Sequence, residues 1–69
     1  MSGQERREAR KLEGRVVHLA LTNGARLDDV ALISFGRTSL WAFVNGSDEF
    51  FPVEDVIAVW ESQPYRSAA

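Results

Sequence analysis

The chain has 69 residues, no cysteine, one histidine and a formal net charge of −2. This length allows one domain, and so short a chain buries only about 60% of the surface that its unfolded form exposes. The lack of cysteine excludes disulfides and thiolate metal sites, so oligomerisation is the reinforcement we expect.

Charge is unevenly distributed along the chain. Residues 1–26 contain six basic and three acidic side chains, whereas residues 27–69 contain two basic and seven acidic ones. The acidic larger part argues against nucleic-acid binding there, because such affinity depends on Lys and Arg neutralising phosphates. No apolar run approaches the roughly 20 residues that cross a bilayer, so we expect a cytoplasmic protein without a membrane segment.

The first predicted element is a short polar helix. Residues 4–13 read QERREARKLE, a run of helix formers with opposite charges at helical spacing. Leu12 is its only large apolar residue, so the helix has almost no face to bury. Gly14 is a natural stop, and residues 1–14 are therefore predicted to form a polar N-terminal arm.

A hairpin follows, because hydrophobic residues alternate from Arg15 onward. Val17, Leu19 and Leu21 point to one side of the first predicted strand. Asn23-Gly24 supplies the positive φ angles of a tight turn.

The second predicted strand, residues 25–35, changes phase in its middle. Leu27 faces inward, yet the later inward residues Val30 and Leu32 are out of step with it by one position. One extra residue resets the alternation, so we expect a β-bulge or sharp bend at Asp28-Asp29, with both aspartates outside.

Three more strands are predicted at residues 38–44, 48–53 and 56–60. Asn45-Gly46 marks the turn between the first two of these. Pro52 cannot donate to a ladder, so it belongs at a strand end and leads into a helical turn through residues 53–55. The prediction is a mainly β fold: a small, five-stranded, strongly bent antiparallel barrel at 15–61, with a flexible tail at 62–69.

This pattern resembles the Sm-like and Src-homology-3-type small-barrel families over residues 4–61. GRVVHLALTNGARLDDVALIS resembles the first Sm motif, and FFPVEDVIAVW resembles the closing segment of these barrels. The chain departs at Asp29, where Sm-like proteins usually have glycine, and at SFGRTS, which replaces their uridine-holding loop. No RNA-binding residue carries over. The resemblance implies a barrel from families that often form rings or bind partners.

The chain has more bulky apolar residues than one small barrel can hide. About twenty lie between Val16 and Trp60. Because tryptophan is enriched at interface centres, the surplus favours a non-enzymatic protein-interaction or assembly module. We expect a homo-oligomer, or a complex with another protein, built through an outer face with Trp41, Phe43, Phe51 and Trp60. The alternative is a monomer whose aromatic side chains are merely half-exposed.

A second hypothesis is an Sm-like regulatory protein that binds RNA or DNA. Its contacts would come from the basic cluster near the N-terminus, formed by Arg6, Arg7, Arg10, Lys11 and Arg15. Three interleaved glutamates weaken the field of this cluster, and a solvated, salt-bridged helix explains the same residues.

No catalytic, cofactor or metal site is predicted, and we expect no enzymatic activity. His18 lacks an identifiable partner that would orient its imidazole, so we interpret it as a surface or interface histidine. An enzyme formed where several copies of His18 converge is a minor hypothesis. The acidic pairs Asp28-Asp29, Asp48-Glu49 and Glu54-Asp55 match no calcium-loop spacing and suit turns and strand edges.

Overall fold

The computed structural model describes residues 1–62, which form one helix, five strands and a 3₁₀ turn. In chain order these are α1 (Gly3–Arg10), β1 (Val16–Leu21), β2 (Arg26–Phe35), β3 (Ser39–Val44), β4 (Ser47–Pro52), the 3₁₀ turn (Val53–Asp55) and β5 (Val56–Glu61). The strands make one antiparallel sheet in the order β4-β3-β2-β1-β5. The mainly β prediction with five antiparallel strands and a short N-terminal helix is confirmed. The sheet is not closed: β4 and β5 are its edges.

Apart from Ser62, the predicted tail lies outside the described residues.

Helix α1 begins with a capping box that the pattern Ser2-Gly3-Gln4-Glu5 encodes. The Glu5 N–H donates to the Ser2 hydroxyl at 3.1 Å, and the Ser2 N–H donates to the Glu5 carboxylate at 2.7 Å. The backbone bond from Ser2 lowers the pKa of Glu5, because it stabilises the charged carboxylate.

Helix α1 buries little of its surface, as the sequence predicts, and Ala9 is its only buried residue. Ala9 is only 1% exposed and belongs to the core, against which Met1 and Leu12 also pack. The helix ends at Arg10, earlier than the predicted end at residue 13. Gly14 then adopts a positive φ of 85°, and its N–H donates to the Leu32 carbonyl at 2.7 Å, which joins the chain to the sheet.

The two Asn-Gly pairs make different turns. In the first, only Gly24 has a positive φ, and the Asn23 side chain accepts the N–H of Ala25 at 2.8 Å. In the second, both Asn45 and Gly46 have positive φ, at 50° and 84°. The second pair is therefore a two-residue hairpin turn, whereas the first is a longer loop that relies on glycine alone.

The predicted bulge at Asp28-Asp29 is confirmed. The β1–β2 register advances from 27 to 30 on β2 while it advances only from 17 to 19 on β1, so one residue of β1 faces two of β2. Asp29 has a φ of 57°, a left-handed conformation that aspartate tolerates better than most residues. Both aspartates are exposed, as predicted.

Two further irregularities were not predicted. β2 contains one extra residue opposite β3, at Ile33, and β5 contains one extra residue opposite β1, at Ile57. The side chains of Ile33 and Ile57 are exposed, and those of the preceding residues Leu32 and Val56 are buried. Each bulge increases the local twist, so the three together bend the sheet strongly around its core.

One face of the sheet, here called the inner face, carries the core. Its fully buried large side chains are Phe35, Leu19, Leu32, Leu40, Val17 and Val56. The 3₁₀ turn lies across the end of this core: the Val53 N–H donates to the Thr38 carbonyl, and the Asp55 carbonyl accepts the N–H of Thr22, both at 2.9 Å. The opposite side of the sheet is here called the outer face.

Candidate interaction surface

Five exposed hydrophobic side chains cluster on the outer face of β1 to β4. This outer patch consists of Val16, Ile33, Trp41, Phe43 and Phe50. Register makes it continuous: Ala31 pairs with both Val16 and Phe43, and Trp41 pairs with Phe50. Residues that pair directly across strands have side chains in contact range on one face.

The aromatic residues of the outer patch present large hydrophobic rings to solvent. Trp41, Phe43 and Phe50 are 36%, 44% and 62% exposed. Trp41 and Phe50 stack, with ring centroids 5.5 Å apart and planes inclined by 22°. The indole N–H of Trp41 donates to Oδ1 of Asp48 at 3.1 Å, which fixes the ring and satisfies its polar atom. Because the Trp41 ring is already fixed, its side chain loses little conformational entropy when another molecule covers the stack.

The four predicted interface residues do not lie together. Trp41 and Phe43 belong to the outer patch, whereas Phe51 lies on the inner side of β4 and packs half-buried against the core. Its neighbour Phe50 occupies the outer position instead. Trp60 is on the outer face but lies on β5, opposite His18 of β1.

Trp60 lies within a group of charged side chains, here called the Trp60 cluster: Trp60, His18, Arg26 and Asp28. The imidazole of His18 is tilted against the indole with centroids 5.5 Å apart, and the Arg26 guanidinium lies 5.2 Å from the ring centre. Nε of Arg26 donates to Oδ1 of Asp28 at 2.8 Å. The indole thus lies against cationic and polar groups of its own chain.

His18 has a close neighbour that the sequence did not identify. Its Nδ1 lies 2.7 Å from Oδ1 of Asp28, although not in hydrogen-bond alignment, and its side chain is largely buried. The bond from Arg26 lowers the pKa of Asp28, because it stabilises the carboxylate form. The neighbouring Asp29 accepts from the Ser62 hydroxyl, which ties the end of β5 to the bulge.

Three of the five basic residues of the N-terminal cluster contact other side chains within residues 1–62. Lys11 pairs with Glu8 at 3.4 Å, and Arg15 pairs with Glu61 at 2.8 Å. The guanidinium of Arg10 lies 5.9 Å from the ring centre of Phe35. Arg6 is half-buried, and Arg7 is exposed. Oppositely charged partners therefore neutralise two of the five basic side chains.

Two open cavities flank the fold. One, of about 280 Å³, lies between α1 and β5 and is lined mainly by Met1, Glu5, Glu8 and Val59. The other, of about 300 Å³, lies beside the first hairpin turn, with Phe51 in its wall. Neither cavity is lined by His18.

Comparisons with protein-family models, with curated proteins and with solved structures find no match to this chain. Within residues 1–62, no helix has the length and apolar character needed to span a membrane. The same residues contain no group of three or more potential metal ligands.

Proposed function

We propose that this protein is a non-enzymatic assembly module that self-associates through the outer patch. The observation that carries the proposal is the row of exposed hydrophobic side chains on one sheet face, with the stacked rings of Trp41 and Phe50 at its β4 end. Aromatic residues held in place on a rigid strand are typical anchors of protein interfaces.

The size of the outer patch suits the central part of an interface. Its three aromatic side chains expose on the order of 300 Å², given that each such side chain has about 150–250 Å² to bury. At about 25 cal/mol per Å², covering this area yields about 7 kcal/mol for each copy. Association costs about 4–15 kcal/mol, so complete burial by two copies, about 14 kcal/mol, permits micromolar binding where the cost lies near the lower end of that range.

We also propose that the bent sheet belongs to the Sm-like or Src-homology-3-type small barrels. Three bulges in a sheet of five strands support this assignment, since bulges are the usual means of bending a sheet toward closure. The 3₁₀ turn adds support, because its hydrogen bonds to Thr22 and Thr38 connect two turns across the end of the core.

The nucleic-acid alternative has less support. Arg15 and Lys11 each pair with a glutamate, and a phosphate would have to compete with those carboxylates. Salt-dependent binding of single-stranded RNA and duplex DNA tests this alternative directly.

Light scattering coupled to size-exclusion chromatography, over a range of micromolar concentrations, tests the assembly proposal. We expect the purified chain to exceed the mass of a monomer and Phe50→Ser to lower the mass toward that of a monomer. Ile57→Ser is the matched control, because Ile57 is similarly exposed but lies on β5, outside the outer patch. A wild-type chain that stays monomeric, or equal loss in both variants, contradicts the proposal.

A further inference from the structure

The edge of the sheet at β4 has a defined pattern of backbone groups. The two-residue turn makes Val44 and Ser47 a hydrogen-bonded pair, and such pairs recur at every second residue of an antiparallel ladder. The bond from the Val53 N–H to the Thr38 carbonyl agrees with this alternation, since residue 53 is an even number of residues from Ser47. The backbones of residues 47, 49 and 51 therefore face β3, and those of 48, 50 and 52 face away from it.

This edge is the more accessible of the two. β4 pairs with β3 without any register shift, and no strand within residues 1–62 covers its other side. β5, in contrast, contains the bulge at Ile57 and has α1 beside it, with Met1 and Glu5 lining the cavity next to Val59. A regular edge strand is a template for another strand, and an irregular, flanked one is a poorer template.

We propose that a second copy of this chain adds to the β4 edge, antiparallel to β4, with the two-fold axis at Phe50. This inference deepens and rests on the proposed self-association, since it names how the copies meet. In this register Phe50 exchanges two hydrogen bonds with its counterpart. The Asp48 N–H of each copy donates to the Pro52 carbonyl of the other, so the missing N–H of Pro52 forfeits only one bond on each side.

Charge selects this register among the alternatives. A two-fold axis at Asp48 or at Glu49 would place that carboxylate directly opposite its own copy, which is destabilising. An axis at Phe51 would engage only Phe50 and Pro52 and form fewer bonds. With the axis at Phe50, Asp48 faces proline and Glu49 faces Phe51, so no acidic residue of β4 directly opposes another.

The same register extends the aromatic stack across the interface. Phe50 stacks on Trp41 within one copy and becomes the cross-strand neighbour of the other copy's Phe50. Four rings then form a row from one Trp41 to the other, and two sheets of five strands become one of ten. Phe50 thereby supplies the side-chain contact and the β4 edge supplies the backbone contact, while the rest of the two outer patches forms one continuous hydrophobic face.

Backbone substitution at the central residue tests the proposal. A synthetic chain with N-methyl-phenylalanine at position 50 keeps the ring and removes the one N–H at the centre of the pairing. We expect its dissociation constant for self-association to rise roughly tenfold or more, with an unchanged circular dichroism spectrum. N-methyl-valine at position 59 is the matched control. The Ser62 N–H donates to the Val16 carbonyl, so Ser62 is hydrogen-bonded to β1 and every second residue before it is too. Val59 falls between these residues, and its N–H therefore faces away from β1.

A cysteine at the axis provides the second measurement, which is clean because the chain has no other cysteine. Hydrogen-bonded antiparallel pairs have Cα atoms about 5.5 Å apart, a distance that a disulfide spans. Because the cysteine also removes the Phe50 ring, oxidation is carried out well above the dissociation constant measured for Phe50→Ser. There we expect Phe50→Cys to form a reducible covalent dimer on mild oxidation, faster than Ile57→Cys on the other edge.

The outcomes separate this inference from the proposed function. A wild-type chain that is monomeric throughout overturns both. A wild-type chain that self-associates, with N-methylation at position 50 causing no weakening or Phe50→Cys cross-linking no faster than Ile57→Cys, overturns the β4 pairing alone and leaves the assembly role in place.

Discussion

The two tryptophans of this chain are almost equally exposed, Trp41 at 36% and Trp60 at 38%, yet their surroundings differ. Trp41 stacks on Phe50 and lies among exposed hydrophobic side chains. Trp60 lies beneath Arg26 and against His18, whose carboxylate partner is Asp28. Exposure alone therefore does not identify an interface residue. Burying a ring with apolar neighbours is favourable. Burying a ring in contact with charged side chains also removes water from those side chains, which costs free energy.

The largest expected effect is a difference between the two tryptophans in self-association. We expect Trp41→Ala to weaken it about tenfold to hundredfold, the range of an interface hot spot, because the alanine removes the ring that supports Phe50. Trp60→Ala is the matched substitution, and we expect it to change the dissociation constant by less than about threefold. Sedimentation equilibrium measures both. Similar losses in the two variants would remove the distinction between the regions.

The next effect concerns the bulge that positions the Trp60 cluster. Asp29 has a positive φ, which a β-branched residue adopts only with strain. We expect Asp29→Val to lower the free energy of unfolding by about 1–2 kcal/mol in urea denaturation. Asp29→Asn tolerates the same conformation and should stay within about 0.5 kcal/mol of the wild type. Equal stability of the valine variant would show that the left-handed conformation is not required.

A smaller effect is the coupling between Arg26 and Trp60. A double-mutant cycle with Arg26→Gln and Trp60→Leu should give about 0.5–1 kcal/mol of interaction free energy, as for exposed cation–π pairs. A parallel cycle with Arg37→Gln serves as the control, because Arg37 is an exposed residue on the β2–β3 turn. A coupling that is no larger for Arg26 than for Arg37 would mean that the guanidinium does not help to cover the indole.

The smallest effect is a dependence on pH. Because the Arg26 bond lowers the pKa of Asp28, the stabilisation is present above the ordinary aspartate range and is lost as pH falls through the lowered value. We expect the carboxyl carbon of Asp28 to titrate below an ordinary aspartate in NMR spectra, and Arg26→Gln to move its midpoint upward. An unchanged midpoint in that variant would assign the shift to another cause.

Much of the fold can be predicted from local patterns in the sequence. Alternation fixes the inner residues of β1, and the change of phase between Leu27 and Val30 identifies the bulge at the aspartates. A change of phase also marks the bulge at Ile33, since Leu32 and Phe35 are both buried although they are an odd number of residues apart. The Ser2-to-Glu5 capping box is equally local. These signals depend only on neighbouring residues, which is why sequence suffices for them.

The interaction surface is harder to predict because it depends on pairing between strands. The choice of Phe51 rather than Phe50 illustrates the problem, since both are adjacent aromatic residues. The two-residue turn at Asn45-Gly46 could have resolved it: it places Trp41 opposite Phe50, and therefore on the same face. The contact of His18 with Asp28 is missed although the bulge itself is predicted, because it depends on which residue of β1 lies opposite the two bulge residues of β2.

The most direct test of the outer patch as an interface uses the two indole N–H signals in a dilution series of ¹⁵N–¹H NMR spectra. We expect the Trp41 signal to shift or broaden with rising concentration, together with the amides of Phe43 and Phe50, while the Trp60 signal stays in place. Spectra that do not change with concentration, or changes confined to the Trp60 signal, would contradict it.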